Sequence, residues 1–165
     1  MARRPVKETR PLVDFGVIIK YIALYIVFAL VVFGVDSVVL NAINMSPTQQ
    51  VGNGHLTLFE VHNTGAAFNL FAGQPETIIV ASFLAVAALV FCVLVFSSRL
   101  TQTAVSAMAL LSAGITMNMA ARINDGYVID YISINSMPNF PVFNTADIMI
   151  VFGAIGLIMA LFSKN

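Results

Sequence analysis

Charge is scarce in this chain. Only 10% of its 165 residues are charged and 59% are apolar, whereas a soluble domain carries about 25% charged and roughly 45–50% apolar residues. An ordinary water-soluble domain is thereby excluded. Net charge is also missing: eight basic residues balance eight acidic ones, which removes the electrostatic basis for a nucleic-acid partner. There is one cysteine, Cys92, inside the apolar Phe91-Cys92-Val93-Leu94. It reads as a buried inert thiol, and no disulfide framework can be built on it. His55 and His62 stand at no metal-ligand spacing. Gly52-x-Gly54 is too short for a phosphate loop and lacks the strand-to-helix context. No Ser–His or Cys–His nucleophile set stands out, and there is no internal repeat or low-complexity segment. The missing repeat symmetry and the lack of a charge at mid-span argue against a transporter.

What is present is a set of long apolar runs, each near the roughly 20 residues that cross a hydrocarbon core. The first spans about 15–35, behind a basic segment 1–14 with Arg3, Arg4, Lys7 and Arg10. It is too long for the roughly 7–15-residue core of a cleaved export signal and has no small-x-small site at its end, so it is expected to be retained. Lys20 near its start can snorkel to the headgroups. Further spans are expected at about 77–96, 103–121 and 146–162. Between the first two lies a polar stretch with turn formers, then Leu56 to His62, which loosely alternates like a short strand. Val128, Asp130, Ile132 and Ile134 share one face of a second strand-like piece. Asn124-Asp125-Gly126 is a turn signal. The expected architecture is an all-α membrane protein of four transmembrane helices with a small extracytoplasmic β-containing subdomain. Residues 15–165 form its single domain.

Lysine and arginine placement gives the orientation. Five of the eight lie at or before residue 20, Arg99 sits between spans two and three, and Lys164 is at the C-terminus. Residues 36–76 contain none. Four spans with both termini in the cytoplasm satisfy this pattern, and they put Asp130 and Asp147 together on the outer side.

Ionisable groups at a membrane boundary are costly and tend to mark function. Asp147 alone is equally an acid in a first helical turn, worth about 0.3–1 kcal/mol against the macrodipole, with Thr145 as N-cap. Asp130 alone could be a solvated strand-edge acid, though its neighbours Val128, Ile129, Tyr131 and Ile132 are not those of an acidic surface. Arg122 is either an interfacial anchor or a planar partner for a carboxylate. Asn63, Asn118 and Asn144 are singly turn or inter-helix amides. Asp36, at the end of span one, stands where the macrodipole disfavours an anion. The two aspartates together suggest a pair sharing one catalytic task.

Asn63-Thr-Gly-Ala-Ala-Phe68, Asn118 with Arg122, Gly126-Tyr-Val-Ile-Asp-Tyr131 and Pro141-Val-Phe-Asn-Thr-Ala-Asp147 follow the order and spacing of the lipoprotein signal peptidases (signal peptidase II), which this chain resembles along nearly its whole length after the basic N-terminus. The resemblance implies a catalytic dyad at Asp130 and Asp147, with Asp36, Asn63, Gly65, Asn118, Arg122 and Asn144 supporting the site or the substrate. It implies an intramembrane aspartic endopeptidase that removes the signal peptide from diacylglyceryl-modified prolipoproteins, cutting before the lipidated cysteine. The implied location is the bacterial inner membrane, with the site at the outer face. Expected partners are prolipoprotein substrates and membrane lipid, with no cofactor, no metal and no nucleic acid, for a chain acting as a monomer. The chain departs from the family's Gly-Asn-x-x-Asp-Arg, reading Met117-Asn118-Met119-Ala120-Ala121-Arg122, and Leu40 replaces a lysine typical after the first-span aspartate. The alternative is a weakly active or inactive relative that binds lipidated peptides or a membrane partner without turnover.

Overall fold

The computed structural model describes residues 13–66 and 70–163. The expected basic cluster Arg3, Arg4, Lys7 and Arg10, and also Phe68 and Lys164, lie outside these residues. Four helices are each long and apolar enough to cross a membrane. Helix α1 (Phe15–Met45) is capped by Asp14, whose carboxylate accepts from the N–H groups of Gly16 at 2.9 Å and Val17 at 3.3 Å. The Asp14 N–H donates to the buried Ser97 Oγ at 2.8 Å, which ties the start of α1 to the short helical turn Ser97–Arg99.

The span expected to stop near Val35 runs ten residues further, to Met45. The unbroken apolar run stops at Val35, but backbone hydrogen bonding does not depend on it. Ser37 returns its hydroxyl to Phe33 O at 2.7 Å, and Asp36 finds a partner within the protein. At about 1.5 Å per residue the helix is about 46 Å long, more than the roughly 30 Å hydrocarbon core.

Strand β1 (Gln49–Val51) was not foreseen in the polar stretch; it pairs antiparallel with β2 (Leu56–Asn63), and β2 with β3 (Val128–Ile134). The β1–β2 turn uses positive φ at Gly52, Asn53 and Gly54. Leu58 pairs with Ile132 but Val61 with Asp130, so β2 carries one extra residue between them. This bulge has a consequence for the site. Side chains directly opposite share a face, and a one-residue slip reverses the faces. Asn63 consequently emerges on the face of Asp130. On the opposite edge, Phe143 accepts from the N–H groups of Tyr131 and Ile132 at 3.1 and 2.8 Å and donates back to Ile132 O at 3.1 Å.

Helices α2 (Pro75–Phe96) and α4 (Thr145–Phe162) pack with α1 around α3 (Gln102–Asp125). The centre suits α3 because its side chains are small: Ala104, Ala107, Ala109, Ser112, Ala113 and Gly114 are all buried. Glycines bring α3 and α4 into backbone contact. A Cβ at Gly114 would meet Ala146 O at 2.6 Å, and one at Gly153 would meet Leu111 N at 2.7 Å. One core cluster gathers Tyr21, Val93, Val105, Met108 and Ala109, and another Val32, Ala146 and Met149. The outward faces stay apolar, with Phe33, Phe83, Phe91, Phe152 and Ile158 all exposed. Water would tolerate such a surface poorly; lipid matches it. Gly126, in the left-handed conformation at φ 81°, ends α3 and turns the chain into β3.

Candidate active site

The C-terminal ends of α1 and α3, the start of α4 and the sheet meet at one end of the bundle. Asp130 enters from β3 and is 3% exposed. Its Oδ2 accepts from Asn63 Nδ2 at 2.8 Å and its Oδ1 from Asn144 Nδ2 at 2.9 Å. Asn144, not Thr145 as the sequence suggested, is the N-cap of α4. Its Oδ1 accepts from the Asp147 N–H at 3.0 Å, and Asp147 Oδ2 accepts from the Asn144 N–H at 3.1 Å. This reciprocal pair is a capping box; an asparagine amide reaches both the cap and Asp130, which a threonine hydroxyl cannot. Asp147 Oδ1 accepts from Asn118 Nδ2 at 2.8 Å, and Asn118 Oδ1 accepts from Asn144 Nδ2 at 3.1 Å. The two carboxylates are thus the ends of one polar chain that passes through Asn144 and Asn118.

Arg122, buried in the last turn of α3, clamps the loop after β2. Its Nη2 donates to Gly65 O at 2.5 Å and its Nη1 to Asn118 O at 3.1 Å. Gly65 N–H donates to Asn63 Oδ1 at 2.9 Å, which aims the Asn63 NH₂ at Asp130. Arg122 Nε is buried without a hydrogen-bond partner among the described residues.

Asp36 is one step removed. The Tyr131 hydroxyl donates to Asp36 Oδ1 at 2.5 Å, lies 2.6 Å from Thr145 Oγ1, and accepts from the Thr145 N–H at 3.3 Å. Tyr131 and Thr145 were not singled out from the sequence as site residues. The signal available was position: each lies within two residues of a candidate aspartate. His62 turns away, stacked on Tyr127 at 4.0 Å between ring centroids, with Nε2 2.6 Å from Glu60 Oε1.

Burial is the first cause that pushes the Asp130 carboxyl up, to about 6, with the charge of Asp147 adding to it; Asn63, Asn144 and Arg122 work in the opposite direction. Burial, and then the bond to Asp36, raise the Tyr131 phenol above its usual range, so it stays a hydroxyl donor. The arrangement offers a carboxyl that holds its proton to higher pH than an ordinary aspartate, a second carboxyl on the same network, and amide donors that fix both. Among the described residues, no three His, Cys, Asp or Glu side chains converge as metal ligands.

Residues 28–163 match the family described as signal peptidase (SPase) II. A lipoprotein signal peptidase of Dehalococcoides mccartyi is 36% identical over 123 residues, 72% of this chain and 74% of the relative. One from Buchnera aphidicola subsp. Schizaphis graminum is 31% identical over 148 residues, 84% of this chain and 94% of the relative. A bacterial membrane enzyme solved by the in meso method at 2.3 Å resolution shares the fold with a TM-score of 0.78, covering 96% of this chain and 99% of its own at 22% identity. The match runs from the middle of α1 through the last helix, and the chain therefore belongs to the signal peptidase II family, as a peptidase carried on four membrane-crossing helices.

Proposed function

We propose that this chain is an aspartic endopeptidase of the bacterial inner membrane that removes the signal peptide from diacylglyceryl-modified prolipoproteins, cutting before the lipidated cysteine with water activated between Asp130 and Asp147. Membership of the family supports signal-peptide removal from prolipoproteins. The observation that carries the aspartic mechanism is the single hydrogen-bonded chain joining Asp130 to Asp147 through Asn144 and Asn118.

Two interacting carboxyl groups resist ionising together. The pair shares one proton; in the proposed reaction Asp130, whose carboxyl is pushed up to about 6, serves as the acid and Asp147 as the base. Asp147 takes a proton from water as the oxygen attacks the scissile carbonyl carbon, while Asp130 gives its proton to the carbonyl oxygen. The tetrahedral diol then collapses: the C–N bond breaks, the amine of the lipidated cysteine takes a proton from Asp147, and a diol hydroxyl returns one to Asp130. Asn63, Asn118 and Asn144 fix the two carboxyls, and Arg122 holds the Gly65 loop beside them. The acyl chains of the substrate would run along the apolar outer faces of the bundle. An apolar groove on α1 lined by Leu30, Val31, Gly34, Val35, Val38 and Val39 is one such face.

The test is to mix detergent-solubilised protein with a diacylglyceryl prolipoprotein and follow the mass of the released signal peptide. Release is expected from the native chain, and Asp130→Asn or Asp147→Asn should cut the rate by about 10³-fold or more. Undiminished cleavage by both variants would sink the aspartic mechanism. Substrate that binds and persists uncleaved on the native chain would instead mark a binding protein.

A further inference from the structure

At the site itself, the dyad reading leaves a deeply buried polar side chain unused. Tyr131, next to Asp130 in β3, is 1% exposed. A phenol that deep must find partners, and those it finds lie on two different helices. Asp36 belongs to α1 and Thr145 is the first residue of α4. These two helices otherwise touch only sparsely, since each packs chiefly on α3. No cation lies within ion-pair distance of Asp36 among the described residues, so the phenol is its principal anchor.

We propose that Tyr131 is a positioning residue for the peptidase reaction: its hydroxyl straps α1, at Asp36, to the first turn of α4, at Thr145, and so sets where Asp147 stands against Asp130. The first N–H groups of a helix have no partner within it. In α4 the Thr145 N–H goes to Tyr131 and the Asp147 N–H to Asn144. Both receiving groups are tied to Asp130, Tyr131 through the backbone of β3 and Asn144 through the hydrogen bond its NH₂ donates to the carboxylate. The turn that carries Asp147 is therefore held at two points by the surroundings of Asp130. Strand β3 is itself fixed on both edges, by β2 and by Phe143, so the strap has a rigid base. Without the hydroxyl, α4 keeps its capping box and the packing of Ala146 and Met149 on Val32 of α1, but loses the polar tie that holds its first residue to Asp36. A displacement of about 1 Å at reacting groups costs about 10²-fold in rate.

This proposal rests on the reading of Asp130 and Asp147 as the catalytic pair. Tyr131→Phe, Thr145→Val and the double variant are assayed for kcat and KM on a diacylglyceryl prolipoprotein in detergent, with Asp130→Asn in parallel. Tyr131→Phe is expected to lose about 10- to 100-fold in kcat with KM unchanged, and Thr145→Val, which keeps the backbone N–H bond to the phenol, a smaller part of that loss. The double variant should be no slower than Tyr131→Phe, because loss of the phenol hydroxyl already removes the bond that Thr145→Val cuts. A merely structural tyrosine would lower the unfolding temperature and leave kcat at the native level. Native kcat in Tyr131→Phe overturns the proposal, as does a rise in KM alone or a double variant whose losses multiply. If Tyr131→Phe fails to accumulate, Thr145→Val tests the hydroxyl contact between the two side chains, and native kcat there then overturns the proposal. Native kcat in Tyr131→Phe with Asp130→Asn inactive removes only the strap, whereas turnover by Asp130→Asn removes the dyad.

Discussion

Asp130 accepts one amide N–H at each oxygen, and neither donor is free to turn. Asn63 Oδ1 is occupied by the Gly65 N–H and Asn144 Oδ1 by the Asp147 N–H, so both NH₂ groups face Asp130. An asparagine at position 130 can accept only one of them, which makes Asp130→Asn more than a neutralised aspartate. Protonation leaves both acceptors in place; substitution does not. The proton also links the site to stability. Between pH about 4 and 6 the folded chain keeps a proton on Asp130, raised to about 6, that the unfolded chain has already released. Stability should fall as pH rises through that window, by on the order of 3 kcal/mol. Unfolding measured across this range should show that slope in the native protein and a weaker one in Asp130→Asn; equal slopes would contradict it. Activity carries the same sign. If Asp130 works as the acid, kcat/KM declines as pH rises through its proton loss. Asn63 stabilises the carboxylate through its hydrogen bond, so Asn63→Ala should move that decline to higher pH. A pH profile left in place, or moved down, would count against the assignment.

At the scale of elements, the α3–α4 contact is the most consequential. Two glycines open it, and they act at different distances from the chemistry. The Cβ of an alanine at 114 would press on Ala146 O, next to Asp147; at 153 it would press on the backbone of Leu111, deeper in the bundle. Overpacking of this kind costs about 1–3 kcal/mol, so both Gly114→Ala and Gly153→Ala should lower the unfolding temperature. They should part in activity: Gly114→Ala displaces the turn that carries Asp147 and is expected to lose more kcat per degree of lost stability. Equal activity losses at matched destabilisation would show that α4 shifts as a whole. The helix ends were less legible. Asp36 read as the end of the first span, yet the helix continues to Met45, with Asp36 held by a phenol that sits 95 residues away in sequence.

For the whole molecule, the apolar exterior and four helices make a multi-pass membrane protein, and the charge pattern argues for its orientation. Five of eight basic residues lie at or before residue 20, and none occurs in 36–76. Both termini are accordingly expected in the cytoplasm, with the site at the outer leaflet. Reporter fusions at the two termini should report the inner side, and a tag inserted after Gly52 the outer side. A terminus reported outside would reverse the proposed access of substrate.

The sequence alone settled the solvent. Four apolar runs near the length of a bilayer core leave few alternatives, because unpaired backbone in lipid is prohibitively costly. The order of its motifs also indicated which aspartates and amides to look for, since those residue types are rare in so apolar a chain. Tertiary structure decided how they meet. Asn63 reaches Asp130 only because a one-residue bulge in β2 turns its side chain to the right face, and a period-two pattern carries no trace of such a bulge. Asn144 rather than Thr145 caps α4 because its amide can serve the helix and Asp130 together. Tyr131 found its partners on two helices through burial and distance, and neither is written in the spacing of one strand.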